Sequence, residues 1–270
     1  MKTTTDRIGG AFAKAREEGR AALMPYMMGG FPSTDGARAI ARAYADSGAD
    51  LIELGIPYSD PLADGPVIHD AGTRALGEGA TLESVLEIGA AIADRVPVVA
   101  MAYANMLVTH GPAEFAARLA DAGLAGLIAP DLPPEESNEL RAALNDRGLA
   151  LIPLVAPTTP PARRRSICAD AQGFVYLVSD TRTTGERDEL PASLTDQIAA
   201  AKADADVPVA VGFGIGTPEQ AAAVGASADG VIVGSRLVRA VGEAGTTSDA
   251  AIAVAEFIAE ARVAMTAAPA

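Results

Sequence analysis

Lysine is nearly missing from this chain: Lys2, Lys14 and Lys202 are the only three in 270 residues, and every other basic residue is arginine. A Schiff-base enzyme needs a lysine at the end of a buried strand, where desolvation favours the neutral amine. Lys2 and Lys14 precede the first strand pattern and Lys202 falls in a helical one, so that chemistry has no candidate. Histidine is almost as scarce. His69 and His110 each read as an ordinary helix or loop residue, and no metal is expected, because no cluster of ligands accompanies them. The single cysteine, Cys168, cannot form an internal disulfide and reads as a structural residue of a helix. No apolar run approaches the ~18 residues that a membrane helix needs. Residues Met1 to Arg7 show neither an apolar core nor a cleavage pattern, which leaves the cytoplasm as the expected compartment. Acidic residues outnumber basic ones by 35 to 21, a net charge of −14, which argues against nucleic acid and anionic membranes as partners. Such an acidic, lysine-poor composition fits a salt-rich cytoplasm, and an Ala- and Arg-rich coding bias leaves the same mark.

What is abundant is hydrophobic sequence, 49% of the chain, arranged in a repeating rhythm of helix, glycine and short apolar strand. Strand patterns fall at 22–28, 51–56, 96–102, 125–130, 149–155, 174–179, 207–211 and 230–235. Helical patterns fall at 6–19, 33–47, 67–76, 81–95, 112–121 and 134–146, around Arg163, Arg164 and Arg165, from Ser193 to near Asp204, and at 248–265. The arginine run reads as a solvated face. Thr217-Pro218-x-Gln220 opens one further helix with an N-cap, a proline at the first position and a capping-box partner. Eight strands alternating with helices predict a (β/α)8 barrel formed by one domain over residues 1–270. The extra N-terminal helix would cover the barrel's bottom, and short helices would be inserted after strands two and eight. A doubly wound open sheet is the alternative, since counting elements does not prove closure.

Within the second strand pattern stands Glu53, flanked by Leu51, Ile52, Leu54 and Ile56. It either faces water from an edge strand or occupies a low-dielectric site, where its pKa rises and it can carry a proton near neutrality. Gly55, Pro57, Pro61, Gly65 and Pro66 then prevent regular structure, which puts Asp60 and Asp64 on a loop at the strand's C-terminal end, the end where parallel α/β folds place their chemistry. Two glycine-rich strand ends follow much later, Val211-Gly-Phe-Gly-Ile-Gly216 and Val233-Gly-Ser235. Turns alone can explain such strings. As a pair after strands seven and eight, they point to a phosphate held by backbone N–H groups and by a short helix beginning at Ser235. With lysine and metal set aside, carboxylate acid–base catalysis on a phosphorylated substrate remains.

The stretch Glu53-Leu-Gly-Ile-Pro-Tyr-Ser-Asp-Pro-Leu-Ala-Asp-Gly-Pro66 resembles the signature of the tryptophan synthase alpha subunit family. The resemblance continues through Met24-Pro-Tyr26, Tyr103-Ala-Asn105, Ala129-Pro-Asp-Leu-Pro133, Tyr176, Thr184-Gly185, Gly212-Phe-Gly214 and Gly234-Ser235. It implies a (β/α)8 barrel and a lyase of tryptophan biosynthesis that cleaves indole-3-glycerol phosphate to indole and glyceraldehyde 3-phosphate. It implies no cofactor in this chain, and a partner beta subunit that carries pyridoxal phosphate in an alpha-beta-beta-alpha heterotetramer. By the same resemblance Glu53 is the acid–base residue and Asp64 accepts the indole N–H. Tyr26, Tyr103, Tyr176, Thr184 and Phe213 bind substrate, while Gly185, Gly214, Gly234 and Ser235 bind phosphate. Asp60, Asn105 and Asp131 face the beta subunit. Two other readings share these residues: a lyase that works alone, and a non-catalytic barrel that only activates a partner. One loop departs from the family. In Ser179-Asp-Thr-Arg-Thr-Thr-Gly185, Arg182 occupies a usual glycine's place and Asp180 replaces an often basic residue, which bears on the closing of this loop as a lid that the resemblance implies.

Overall fold

The strands read as unbroken apolar runs because both of their faces are covered, one by helices and the other by the barrel interior. The computed structural model describes residues 4–178, 192–212 and 214–267. Its strands are β1 (Ala22–Met28), β2 (Ile52–Gly55), β3 (Val98–Met101), β4 (Gly126–Ile128), β5 (Ala150–Ile152), β6 (Leu154–Val155), β7 (Val175–Val178), β8 (Val209–Gly212) and β9 (Gly230–Val233). The helices up to β5 are α1 (Thr4–Glu17), α2 (Thr34–Asp46), α3 (Pro66–Gly77), α4 (Leu82–Ala90), α5 (Ala104–His110), α6 (Pro112–Asp121) and α7 (Asn138–Asp146). After β6 come α8 (Pro161–Ala169), α9 (Leu194–Asp204), α10 (Pro218–Gly225), α11 (Ser235–Glu243) and α12 (Thr247–Ala267). No helix among the described residues is long and apolar enough to cross a membrane.

All pairings are parallel, in the order β5-β4-β3-β2-β1-β9-β8-β7-β6. The ends of that order are two halves of one strand. Proline 153 lacks the N–H that a ladder requires and divides the expected strand 149–155 into β5, which pairs with β4, and β6, which pairs with β7. The Pro153 carbonyl still accepts the Tyr176 N–H at 2.9 Å. The sheet therefore closes on itself as an eight-stranded barrel, and the open-sheet alternative fails.

Other differences from the sequence reading have local causes. Helix α5 was not expected, being seven residues long and uncapped by its own sequence. Asp131, from the loop after β4, accepts the Ala104 N–H at 2.8 Å and supplies the missing cap. The expected helix 134–146 divides into a 3-10 turn at Pro134–Glu136 and α7, with buried Ser137 bonded to the Pro134 carbonyl between them. Thr217 caps α10 through the Gln220 N–H at 3.2 Å as expected, but the Gln220 side chain reaches past the cap to the Gly216 N–H at 2.7 Å. The arginine run is partly engaged, since Arg163 pairs with Glu135 and Arg164 with Asp204.

The two ends of the barrel differ, and a cavity opens at the C-terminal end of the strands. At the other, α1 buries Ile8, Phe12 and Ala15 against Met24 and Phe174 of the interior layer, with the Phe12 and Phe174 rings 5.7 Å apart. Arg7 ties the same helix to the Ala93 and Gly123 carbonyls. Beside it lies a buried ion pair. The Arg20 guanidinium and Asp50 carboxylate, with 1% and 3% of their side chains exposed, meet at 2.5 and 2.9 Å, and Asp50 also accepts the Leu23 N–H at 2.8 Å. Arg262 of α12 adds bonds to the Gly48 carbonyl and to Glu18, so the last helix is joined here to the turns that follow α1 and α2.

Candidate active site

Glu53 is the only charged residue in any described strand. The β1–β2 register sets it beside Tyr26, and the β2–β3 register beside Val99. Its exposure is 1%, and its Oε2 has no hydrogen-bond partner among the described residues, so the water-facing reading fails. Burial, with a smaller contribution from the Asp64 charge, pushes its pKa up to about 8. A carboxyl group in that state holds a proton at neutral pH and can still release it.

Two phenols flank this carboxyl from β1 and β7. The Tyr26 ring occupies the space where a side chain on Gly55 would begin, and the Tyr176 ring does the same at Gly212. Glycine at these strand ends therefore makes room for tyrosines, and Gly212 serves packing before it serves any ligand. Both hydroxyls have their pKa raised, first by burial and then by the charges of Glu53 and Asp64, which keeps them neutral donors.

Asp64 comes from the loop between β2 and α3, immediately before Gly65, the N-cap of that helix. Burial raises its pKa to about 6, opposed by the nearby Tyr103 hydroxyl and by the charge of His69. In the sequence His69 reads as an ordinary helix or loop residue. The structure brings it into electrostatic reach of Asp64, because Pro66 starts α3 at once and places His69 in its first turn. That helix start was readable in the sequence. The side toward which the helix turns was not.

Glu53 and Asp64 share a cavity of about 540 Å³ at the C-terminal mouth of the barrel. Tyr26, Tyr176, Gly214, Gly234 and Ser235 line it with them, as do the apolar side chains of Ile68, Met101, Ile152 and Ile232. This apolar wall suits a flat ring system. Met101, Ile152 and Ile232 lie in strand runs apolar on both faces, so the sequence does not distinguish those that face the cavity. The cavity also continues between α7 and α8 towards Ser137, Arg141, Thr158, Thr159 and Arg163, which only the packing of those helices reveals. At the β8–β9 side, Gly214 has φ of +92°, a conformation that favours glycine. Gly234 is the N-cap of α11 and forms no side-chain cap bond, so the N–H groups of the helix's first turn face the cavity mouth with Ser235.

Tyr103 is not among the residues lining this cavity; its hydroxyl accepts the N–H of Ala63, the residue before Asp64, at 3.1 Å. Asp60, Asn105 and Asp131 are exposed and lie outside the cavity, Asp60 and Asp131 on the loops after β2 and β4 and Asn105 in α5 after β3, and these three strands are consecutive in the barrel. Leu62 and Val108, 81% and 80% exposed, belong to the same sector of the rim. Thr184, Gly185, Phe213 and the Asp180–Arg182 departure lie outside the described residues.

Comparison with known proteins gives the same picture over nearly the whole chain. The sequence model of the family described as tryptophan synthase alpha chain matches residues 12–268. A tryptophan synthase alpha chain of Carboxydothermus hydrogenoformans is 49% identical over 234 residues, 86% of this chain and 88% of that one. Among solved structures, tryptophan synthase of Mycobacterium tuberculosis superposes with a TM-score of 0.88 at 37% identity, covering 96% of this chain and 98% of that chain. The tryptophan synthase alpha subunit of Legionella pneumophila gives 0.88 at 34% identity, covering 98% and 99%.

Proposed function

The chain belongs to the tryptophan synthase alpha chain family, whose lyase reaction in tryptophan biosynthesis is the cleavage of indole-3-glycerol phosphate, and we propose that Glu53 and Asp64 carry that reaction here. The observation that carries this reading is the pairing of buried Glu53 and half-buried Asp64 in one cavity, with pKa values pushed apart, to about 8 and about 6. Protonated Glu53 delivers its proton to indole C3, and the cation that forms is stabilised by the ionised Asp64 accepting the indole N–H. Glu53, now a carboxylate, removes the proton of the glycerol hydroxyl next to the bond that breaks. That carbon–carbon bond cleaves, its electron pair restores the indole, glyceraldehyde 3-phosphate leaves, and Glu53 is protonated again. Tyr26 and Tyr176 confine the ring. Backbone N–H groups at Gly214, Gly234 and Ser235 hold the phosphate, joined by Thr184, Gly185 and Phe213 in the same roles that the resemblance implies.

The exposed Val108 of α5, in the same helix as Asn105, and the exposed Leu62, which also lines the cavity mouth, favour an alpha subunit over a lyase that works alone, because exposed apolar side chains on this sector of the rim suit a protein partner. The partner is a beta subunit holding the pyridoxal phosphate, in an alpha-beta-beta-alpha heterotetramer. This chain contributes a single cytoplasmic domain without a cofactor of its own. Purified protein given indole-3-glycerol phosphate should release indole slowly alone and much faster with the beta subunit. No cleavage in either state would overturn the assignment, and an unstimulated high rate would favour the lyase that works alone.

Two further results are expected. The pH profile of kcat/KM should be bell-shaped, with limbs near 6 and 8: below the first Asp64 loses its charge, and above the second Glu53 loses its proton. A flat profile from pH 5 to 9 would contradict the paired roles. At the phosphate end, Gly234→Asp places a carboxylate where the dianion belongs. A Cβ at Gly234 would meet Tyr26 atoms only at ordinary contact, 3.7 Å, so the fold should survive. Affinity for glycerol phosphate should fall at least ~10-fold by charge repulsion; unchanged inhibition would put the phosphate elsewhere.

A further inference from the structure

Asp64 sits on a loop without ladder support, its own N–H reaching the Pro61 carbonyl only at 3.4 Å, yet its task requires a fixed carboxylate. The nearest fixed object is Tyr103. This residue is 3% exposed and immediately precedes α5, its ring stacks on Tyr58 at 5.4 Å, and the adjoining Ala104 N–H is held by Asp131. These contacts hold the ring and the backbone beside it. The phenol oxygen accepts the Ala63 N–H at 3.1 Å, one residue before Asp64, and stands close enough to the Asp64 carboxylate to favour its ionised form.

We propose that Tyr103 is a positioning residue for the cleavage reaction: its hydroxyl, oriented by the Ala63 N–H, donates to Asp64 and aims the ionised carboxylate at the indole N–H. This role differs from direct substrate binding, since Tyr103 is not among the residues lining the cavity. It rests on the Asp64 assignment made under Proposed function. A donor bonded to the charged form stabilises that form, so Tyr103 opposes the effect of burial on Asp64. The other groups facing Asp64 are Glu53 of β2, Tyr26 of β1, Tyr176 of β7 and His69 of α3. Of these, the pull towards ionisation comes from His69 alone, from an exposed position where screening weakens it.

The test uses the complex with the beta subunit and three variants: Tyr103→Phe, Asp64→Asn and the two combined. Tyr103→Phe should lower kcat by ~10-fold or more, the range for losing a hydrogen bond to a charged group, with KM nearly unchanged. Because Asp64 loses a donor to its charged form, the acid limb of the pH profile should move to higher pH. In the Asp64→Asn background the same change should cost less than ~2-fold, as expected for two residues acting as one unit. Tyr103→3-fluorotyrosine keeps the hydroxyl and makes it a stronger donor, so it should move the acid limb the other way without disturbing the fold. An unmoved acid limb in both Tyr103 variants, or an equal loss in the two backgrounds, overturns the proposal. An Asp64→Asn variant with full activity would instead remove the Asp64 assignment itself.

Discussion

Glu53→Gln is expected to lower indole-3-glycerol phosphate cleavage by at least ~10²-fold, the size of a general acid–base contribution, while a phosphate-bearing analogue still binds. Glutamine keeps the shape of the side chain and removes the titrating proton. The same variant should gain stability in alkali. A carboxyl group whose folded pKa is raised to about 8 favours the fold fully below its ordinary value of 4.5, and that contribution is lost as pH rises through 8. Above pH 8 the parent protein buries a charge, with Oε2 unpartnered among the described residues, and the glutamine variant does not. Opposite movements of activity and of alkaline stability would together identify Glu53 as a group held in a costly environment for its chemistry. Turnover within tenfold of the parent, measured with the beta subunit present, would end its assignment as proton carrier.

Arg20→Met should be the most damaging change at the closed end of the barrel. It leaves Asp50 buried with 3% of its side chain exposed, supported by the Leu23 N–H and a 3.5 Å approach from Arg262. Removing one partner of a buried ion pair costs ~3–5 kcal/mol. For a chain of this length that corresponds to a fall in Tm on the order of 10 °C. Activity at low temperature should change little, because the pair lies at the end opposite the cavity. Adding Asp50→Leu should recover much of the loss, since the penalty comes from the stranded charge and not from a missing attraction. Chemical denaturation of the three proteins would decide it. A single-variant loss below ~1 kcal/mol, the size of a surface pair, would mean that Asp50 finds water or another partner.

The family-specific part of the site was legible because it is local. Glu53 is conspicuous in an apolar run, and Asp64 follows it on a stretch too rich in proline and glycine to be regular. The glycines at the ends of β8 and β9 fall where a barrel holds phosphate. Each of these signals rests on covalent spacing and on the conformations that proline and glycine allow, which need no knowledge of neighbours. Strand existence was legible for the same reason, since a parallel strand buried on both faces must be apolar.

Contacts between residues distant in sequence belong to the tertiary structure alone. Closure of the barrel depends on β5 and β6 being one strand interrupted at Pro153, and α5 exists as a capped helix because Asp131 reaches it from another loop. Gly55 and Gly212 are explained by tyrosines 29 and 36 residues away in the chain, Tyr26 and Tyr176, that fill the space above them. Tyr103 accepts the Ala63 N–H next to Asp64, and His69 comes into electrostatic reach of the same carboxylate. By itself the sequence determined which groups could perform the chemistry and at which end of the strands they lie, because composition, period and turn residues act within a few residues. Which groups meet, how far burial shifts their protons and what holds them in place were decided by the packed barrel, because hydrogen bonds and desolvation depend on distances in space that spacing along the chain does not set.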